Sequence, residues 1–104
     1  MAETQGSPTV GYTIECFWVG LTETELARTD ARVAASADAA SREGSAVRYL
    51  GSLLFPGDEV VFFEFEAESA EAVRAVGEQA RIPVERIVRS RRALGPHDSR
   101  GGAK

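Results

Sequence analysis

The chain of 104 residues is poor in cysteine and histidine. It has one cysteine, Cys16, and one histidine, His97. A single cysteine forms no internal disulfide, which is typical of a protein kept in a reducing cytoplasm. One histidine near the chain end excludes histidine-rich zinc sites and a Ser–His–Asp triad built around a core histidine. The sequence therefore predicts no nickel or zinc site and no cofactor.

Long hydrophobic runs are also missing. The uncharged, mostly apolar stretch that contains Gly51–Gly57 is far too short to span a bilayer. The start of the chain, Met1–Pro8, has neither the basic residues nor the apolar stretch of a signal peptide. We expect a cytoplasmic protein that has no membrane partner.

Charge is distributed unevenly along the chain. Residues 1–80 hold 14 acidic and 5 basic residues, a net charge of −9, whereas residues 81–104 have a net charge of +5. The acidic body argues against a nucleic-acid partner. The basic end either balances the acidic body or contacts an acidic partner. With 43% hydrophobic and 27% charged residues, the composition is typical of one soluble globular domain.

Periodicity and turn signals divide the chain into six elements. The expected elements are a strand Tyr12–Val19, a helix Glu23–Arg42 that starts in a Thr22/Glu25 capping box and stops at Gly44, strands Val47–Phe55 and Glu59–Glu66, a helix capped by Ser69, and a strand Arg86–Arg92. This order predicts an α+β, ferredoxin-like βαββαβ domain over residues 10–92. Four antiparallel strands would then carry two helices on one face. Residues 1–9 and 93–104 are expected to be flexible.

Alternation along the strands assigns each strand residue to one of two sheet faces. The helix-covered face is expected to hold Ile14, Cys16, Trp18, Val61, Phe63 and Phe65. The opposite face, which we term the open face, is expected to hold Glu15, Phe17, Arg48, Leu50, Leu54, Phe62, Glu64 and Glu66. Cys16 is thereby predicted to be a packed core residue and not a nucleophile.

Three carboxylates, Glu15, Glu64 and Glu66, share the open face of the predicted sheet. Carboxylates held close together and partly buried are suited to general acid–base chemistry, so Glu15 and Glu64 are the candidate catalytic residues. The same oxygens also suit a hard cation. In the alternative interpretation the three side chains pair with arginines, among them Arg48, or stay solvated.

Apolar side chains surround these carboxylates. They are Phe17, Leu50, Leu54 and Phe62. In a monomer they would form an exposed apolar patch, which normally marks an interface, so we expect a homodimer formed sheet to sheet. A ligand cavity between the sheet and its partner is the alternative, and the two are compatible. The candidate ligand-binding residues are Phe17, Arg48, Leu50, Phe62 and Glu66.

Three segments carry a resemblance to a known family. They are Tyr12–Glu15 followed by Gly20–Thr22, then Val47–Leu50, and then a stretch that runs from Phe65–Arg74 to Ile82–Ile87. Over residues 12–90 the chain resembles a family of small, ferredoxin-like bacterial proteins of mostly unassigned role, some described as nickel-binding. The resemblance implies a dimeric α/β sandwich or barrel, with metal binding through histidine-type ligands in some members. This chain lacks those ligands, so the resemblance brings the fold and not the metal site.

Three function classes remain open. The favoured class is a small dimeric binding protein that holds a small molecule or a metal ion in a pocket on the open face. The second is a cofactor-independent enzyme of the dimeric α/β barrel type, an isomerase, cyclase or oxygenase with a glutamate base. The third is a structural partner protein without a pocket.

Overall fold

Six elements in the expected order make up the fold. The computed structural model describes residues 9–91. The elements are β1 (Val10–Phe17), α1 (Glu23–Arg42), β2 (Val47–Phe55), β3 (Val60–Ala67), α2 (Ala70–Gln79) and β4 (Arg86–Ser90). The strands form one antiparallel sheet in the order β2-β3-β1-β4. The prediction of a ferredoxin-like α+β fold is confirmed.

Local side-chain chemistry sets where the helices begin and end. The Thr22 hydroxyl accepts from the Glu25 N–H, and the Glu25 carboxylate accepts from the Thr22 N–H, both at 3.1 Å, which completes the capping box. At the other end of α1, Gly44 has a φ of 104°, a left-handed conformation that stops the helix. Ser69 begins α2 by accepting from the Ala72 N–H at 3.1 Å.

The core lies between the helices and one face of the sheet. Its fully buried side chains are Ile14, Cys16, Thr29, Val33, Val61, Phe63, Phe65, Val73 and Val76. The expected helix-covered face is therefore confirmed, with Trp18 half-buried at its margin. The Arg32 side chain of α1 also donates to the Ala80 carbonyl at the end of α2, at 3.0 Å, which ties the two helices together.

Three strands differ in extent from the sequence-based expectation. β3 runs from Val60 to Ala67 and not from Glu59 to Glu66. β1 ends at Phe17 and not at Val19, because the chain turns there: the Leu21 N–H donates to the Trp18 carbonyl at 3.4 Å, and Gly20 has a φ of 76°. β4 ends at Ser90. The predicted lead-in at 1–8, Arg92 and the predicted tail at 93–104 lie outside the described residues.

Among the helices that the structure describes, none is long and apolar enough to cross a membrane.

A bulge in β2 reverses the alternation of its second half. One extra residue, Leu50, stands between Tyr49 and Gly51 in the pairing with β3. Gly51 has a φ of 132°, which a residue with a Cβ adopts only under strain. From Gly51 onward, every β2 side chain therefore lies on the face opposite to the one that simple alternation predicts.

The expectation that Leu54 lies on the open face is wrong for this reason. Leu54 pairs with the buried Val61 and packs against the core. Leu53 takes its place on the open face, where it pairs with Phe62 and is 49% exposed. The bulge thus exchanges Leu53 and Leu54 between the two faces of the edge strand.

Tyr49 fastens α1 to the sheet. Its ring packs against the rings of Phe65 and Phe63, with centroid separations of 5.1 and 6.5 Å. Its hydroxyl donates a hydrogen bond to the carboxylate of Asp30 on α1. Burial and then this hydrogen bond raise the pKa of Tyr49 well above its ordinary value, so the phenol remains a donor.

We expect Tyr49→Phe to lower the free energy of unfolding by about 1–3 kcal/mol, because the Asp30 carboxylate loses its donor. Urea denaturation followed by circular dichroism measures the change. Tyr12→Phe is the matched control. It also removes a tyrosine hydroxyl, and it keeps the ring that lies 5.9 Å from the Arg89 guanidinium. Its effect should stay within about 0.5 kcal/mol. Equal losses in the two variants would contradict the role given to the Tyr49 hydroxyl.

Candidate functional site

The open face is divided into an apolar half and a polar half. The apolar half, at the end where β1 and β2 finish, consists of Phe17, Leu53, Phe55, Val60 and Phe62. Phe17 is 68% exposed and Phe55 is 41% exposed, so the surface is apolar without being covered. The polar half, at the other end of β1, holds Gly11, Arg48, Glu64, Glu66 and Ser90. A cavity lies in each half.

The cavity of the apolar half, which we term the Glu15 cavity, has a volume of about 440 Å³. Its lining residues are Glu15, Cys16, Phe17, Val60, Phe62, Glu85 and Arg86. The register explains how they meet, because Glu15 pairs with Phe62 on β3 and with Arg86 on β4. A carboxylate on the central strand is thus flanked by a phenyl ring on one side and a guanidinium on the other.

The ion pair in this cavity is loose. Arg86 Nε and Glu15 Oε1 are 3.8 Å apart, which is longer than a hydrogen bond. The Arg86 side chain is 69% exposed, whereas that of Glu15 is 33% exposed. The carboxylate therefore lies in the cavity while its arginine extends into solvent.

Cys16 contributes to the floor of the Glu15 cavity but its thiol belongs to the core. Burial raises the pKa of Cys16 to about 12. Glu85 has two smaller and opposite effects on this pKa: its backbone hydrogen bond lowers the pKa, and its negative charge raises it. A thiol with this pKa is protonated at neutral pH and is a poor nucleophile. The prediction that Cys16 is a packed core residue agrees with this position.

The second cavity, which we term the Glu64 cavity, has a volume of about 430 Å³ and lies in the polar half. It is lined by Val10, Gly11, Leu50, Glu64, Phe65, Glu66, Arg89, Ser90 and Arg91. Glu66 in its wall pairs with Arg48 across β2 and β3, with Arg48 Nη2 at 2.7 Å from Glu66 Oε1. Both side chains of this pair are substantially exposed, so it contributes little to stability.

The structure places the candidate site residues on the open face but separates them into two groups. Glu15, Phe17 and Phe62 line the Glu15 cavity, whereas Leu50, Glu64 and Glu66 line the Glu64 cavity. Arg48 lines neither cavity and reaches the site through its ion pair with Glu66. The two candidate catalytic carboxylates, Glu15 and Glu64, thus face different cavities.

Sequence reasoning did not place Glu85, Arg86 and Val60 in the site. Val60 and Arg86 are assigned to it by cross-strand register, since they pair with Phe17 and Glu15. Side chains alternate along β4, and Ile87 packs against the core. Its neighbour Arg86 could therefore have been assigned to the open face from the sequence. Glu85 precedes β4 in an irregular segment, where no periodic signal exists.

The described residues contain no group of three or more histidine, cysteine, aspartate or glutamate side chains arranged to hold a metal ion. Cys16 is buried on the helix side of the sheet, and His97 lies outside the described residues. The oxygens of Glu15 and Glu85 are the carboxylate donors of the Glu15 cavity.

We expect the stability of the protein to fall as the pH rises from about 9 towards 12, in part through Cys16. Because the pKa of Cys16 is raised from 9.0 to about 12 by folding, its contribution is complete below pH 9 and is lost above it. In this range the free energy of unfolding should therefore fall less steeply with pH in Cys16→Ala than in the wild type, by about 1 kcal/mol per pH unit. Urea denaturation at four pH values measures the slope, with pH 6 to 8 as the control range. Equal slopes for the wild type and Cys16→Ala between pH 9 and 12 would contradict the burial of the thiol.

Comparison with known proteins supports the fold. The crystal structure of SCO4226 from Streptomyces coelicolor A3(2) is similar, with a TM-score of 0.60 and 21% sequence identity. The alignment covers 81% of this chain and 99% of that chain. No family model matches the chain, and no curated protein matches it. The similarity to this bacterial structural neighbour, at such low identity, is one of fold alone.

Proposed function

We propose that this chain is a small homodimeric binding protein that holds a small molecule in the Glu15 cavity. The observation that carries the proposal is the cavity of about 440 Å³, within the size range of ligand sites, with apolar walls and a carboxylate. Phe17, Val60 and Phe62 supply the apolar surface, and Glu15 with Arg86 supplies the polar groups that orient a ligand. A mostly apolar cavity with a few convergent polar groups is the usual form of such sites.

Binding is favoured over catalysis by the groups that line this cavity. Covalent catalysis needs an activated nucleophile, and the Cys16 thiol is buried with a pKa raised to about 12. A relay between the two candidate catalytic carboxylates, Glu15 and Glu64, is disfavoured because they line different cavities. The remaining polar groups, Glu15, Glu85 and Arg86, are suited to recognition by charge and hydrogen bonding.

A second copy of the chain is proposed to cover the apolar half of the open face. Phe17, Leu53 and Phe55 are each more than 40% exposed and lie together on one sheet surface. Exposed contiguous apolar area of this kind is stabilised by burial against a partner. A sheet-to-sheet dimer would also close the mouth of the Glu15 cavity and exclude water from a bound ligand.

We expect light scattering to show twice the chain mass of 11.2 kDa at micromolar concentration. Phe17→Glu should weaken the dimer by about 30-fold or more, because it places a charge at the centre of the proposed contact. Ala75→Glu is the matched control, since Ala75 is exposed on α2 and lies away from the open face. A wild-type monomer, or equal weakening by both variants, would contradict the proposed dimer.

Native mass spectrometry of freshly purified protein, with metal analysis of the same sample, tests the ligand. We expect one organic molecule per chain and no stoichiometric nickel or zinc, because tight sites for these metals need several nitrogen or sulfur donors. Phe62→Ala should lose the molecule, whereas Leu50→Ala, in the Glu64 cavity, should retain it.

The possible results of this measurement separate the function classes. A ligand-free protein with a filled sheet-to-sheet interface would favour the structural partner protein. Stoichiometric nickel, or submicromolar affinity in a calorimetric titration with nickel, would overturn the exclusion of the metal. Retention of the molecule by Phe62→Ala and its loss from Leu50→Ala would move the site to the Glu64 cavity.

A further inference from the structure

The charges around the Glu15 cavity point to the class of its ligand. This inference rests on the proposed function and deepens it. We propose that the cavity takes a small organic cation, an apolar amine whose ammonium group lies against Glu15 and whose hydrocarbon part lies against Phe17 and Phe62.

The first argument is the sign of the charge. Two carboxylates, those of Glu15 and Glu85, and one guanidinium, that of Arg86, line the cavity. Arg86 and Glu85 are both exposed, so their charges are screened, whereas the Glu15 side chain is 33% exposed and its carboxylate is screened less. An anionic ligand would be repelled by both carboxylates, and a cationic one would be attracted.

The wider field of the protein has the same sign. The described residues, 9–91, carry 14 acidic side chains against 9 arginines and no lysine. A net negative field raises the local concentration of cations and the rate at which they reach the surface. The charge of the cavity and the charge of the domain therefore select the same kind of ligand.

The second argument is the aromatic wall beside the carboxylate. Phe62 is the cross-strand partner of Glu15, and Phe17 follows Glu15 by two residues on the same face of β1. Phe55 packs edge-on against Phe62, with a centroid separation of 5.2 Å, which restrains the Phe62 ring. Phenyl faces next to a carboxylate attract an organic ammonium through cation–π and charge interactions together.

The third argument is that Glu15 can change partner at little cost. Its contact with Arg86 is 3.8 Å long, so no hydrogen bond is lost when an ammonium approaches the carboxylate. A hard metal ion needs six or more oxygen ligands. Among the described residues that line this cavity, the carboxylates are those of Glu15 and Glu85, which is too few side-chain ligands for such an ion. An organic ammonium needs one carboxylate and an apolar surface, which this cavity has.

Three probes that share a phenyl ring on a two-carbon chain and differ in charge test the inference. They are phenethylammonium, phenylacetate and 2-phenylethanol, titrated into the full chain at pH 7 in low salt and followed by ligand-observed NMR. We expect phenethylammonium to bind at least about tenfold more tightly than either of the others. Its affinity should also fall as salt is added, because charge attraction is screened.

Variants separate the role of Glu15 from that of the fold. Glu15→Gln should remove the preference for phenethylammonium and leave the affinity for 2-phenylethanol within about twofold, because the amide keeps the shape of the side chain. Glu78→Gln removes the same charge from the exposed face of α2 and should leave all three affinities unchanged. Circular dichroism verifies that both variants fold.

Failure of this inference differs from failure of the proposed function. Equal binding of the amine and the alcohol, or tighter binding of the acid, would overturn the cationic ligand and leave the binding cavity standing. An unchanged preference in Glu15→Gln would overturn the role of this carboxylate. If none of the probes binds at millimolar concentration, both the ligand class and the proposed small-molecule site fail.

Discussion

Burial of a single face of the sheet is the constraint on which the rest of this structure depends. Ile14 on β1 and Val61 and Phe63 on β3 are completely buried under the two helices. Because side chains alternate along a strand, this burial forces Glu15, Phe62 and Glu64 onto the opposite face. A slip of one residue in either strand would place carboxylates in the core, at a cost of several kcal/mol each. The position of the candidate site is therefore secured by the core beneath it.

The helices are held to this face by specific polar contacts as well as by apolar packing. Tyr49 reaches from β2 to Asp30 on α1, and Arg32 reaches from α1 to the end of α2. Gly77 allows α2 to lie close to β1, since a Cβ there would be 3.0 Å from the Ile14 side chain and 2.8 Å from that of Val84. The close fit of α2 over Ile14 fixes the strand that carries Glu15.

The open face is built from two surfaces of different character. At one end the apolar residues lie around Glu15, and at the other end ion-paired Glu66 and Arg48 lie beside Glu64. The polar end resembles an ordinary solvated sheet surface, in which exposed pairs contribute little. The apolar end is the part whose exposure to water costs free energy, which supports the proposal that a ligand and a second copy of the chain bind there.

Sequence pattern alone determined the order of the elements, α1 and β2 to the residue, the caps at Thr22 and Ser69, and the faces of β1 and β3. These features depend on short-range chemistry, since capping, turn formation and alternation all act within a few residues. Tertiary structure decided what depends on pairing between distant strands. The extra residue at Leu50 moved Leu54 into the core and Leu53 to the open face, and the register of β4 brought Arg86 to Glu15. Tertiary structure also places Glu15 and Glu64 in different cavities, although both residues lie on the open face, because different strand segments enclose the two cavities.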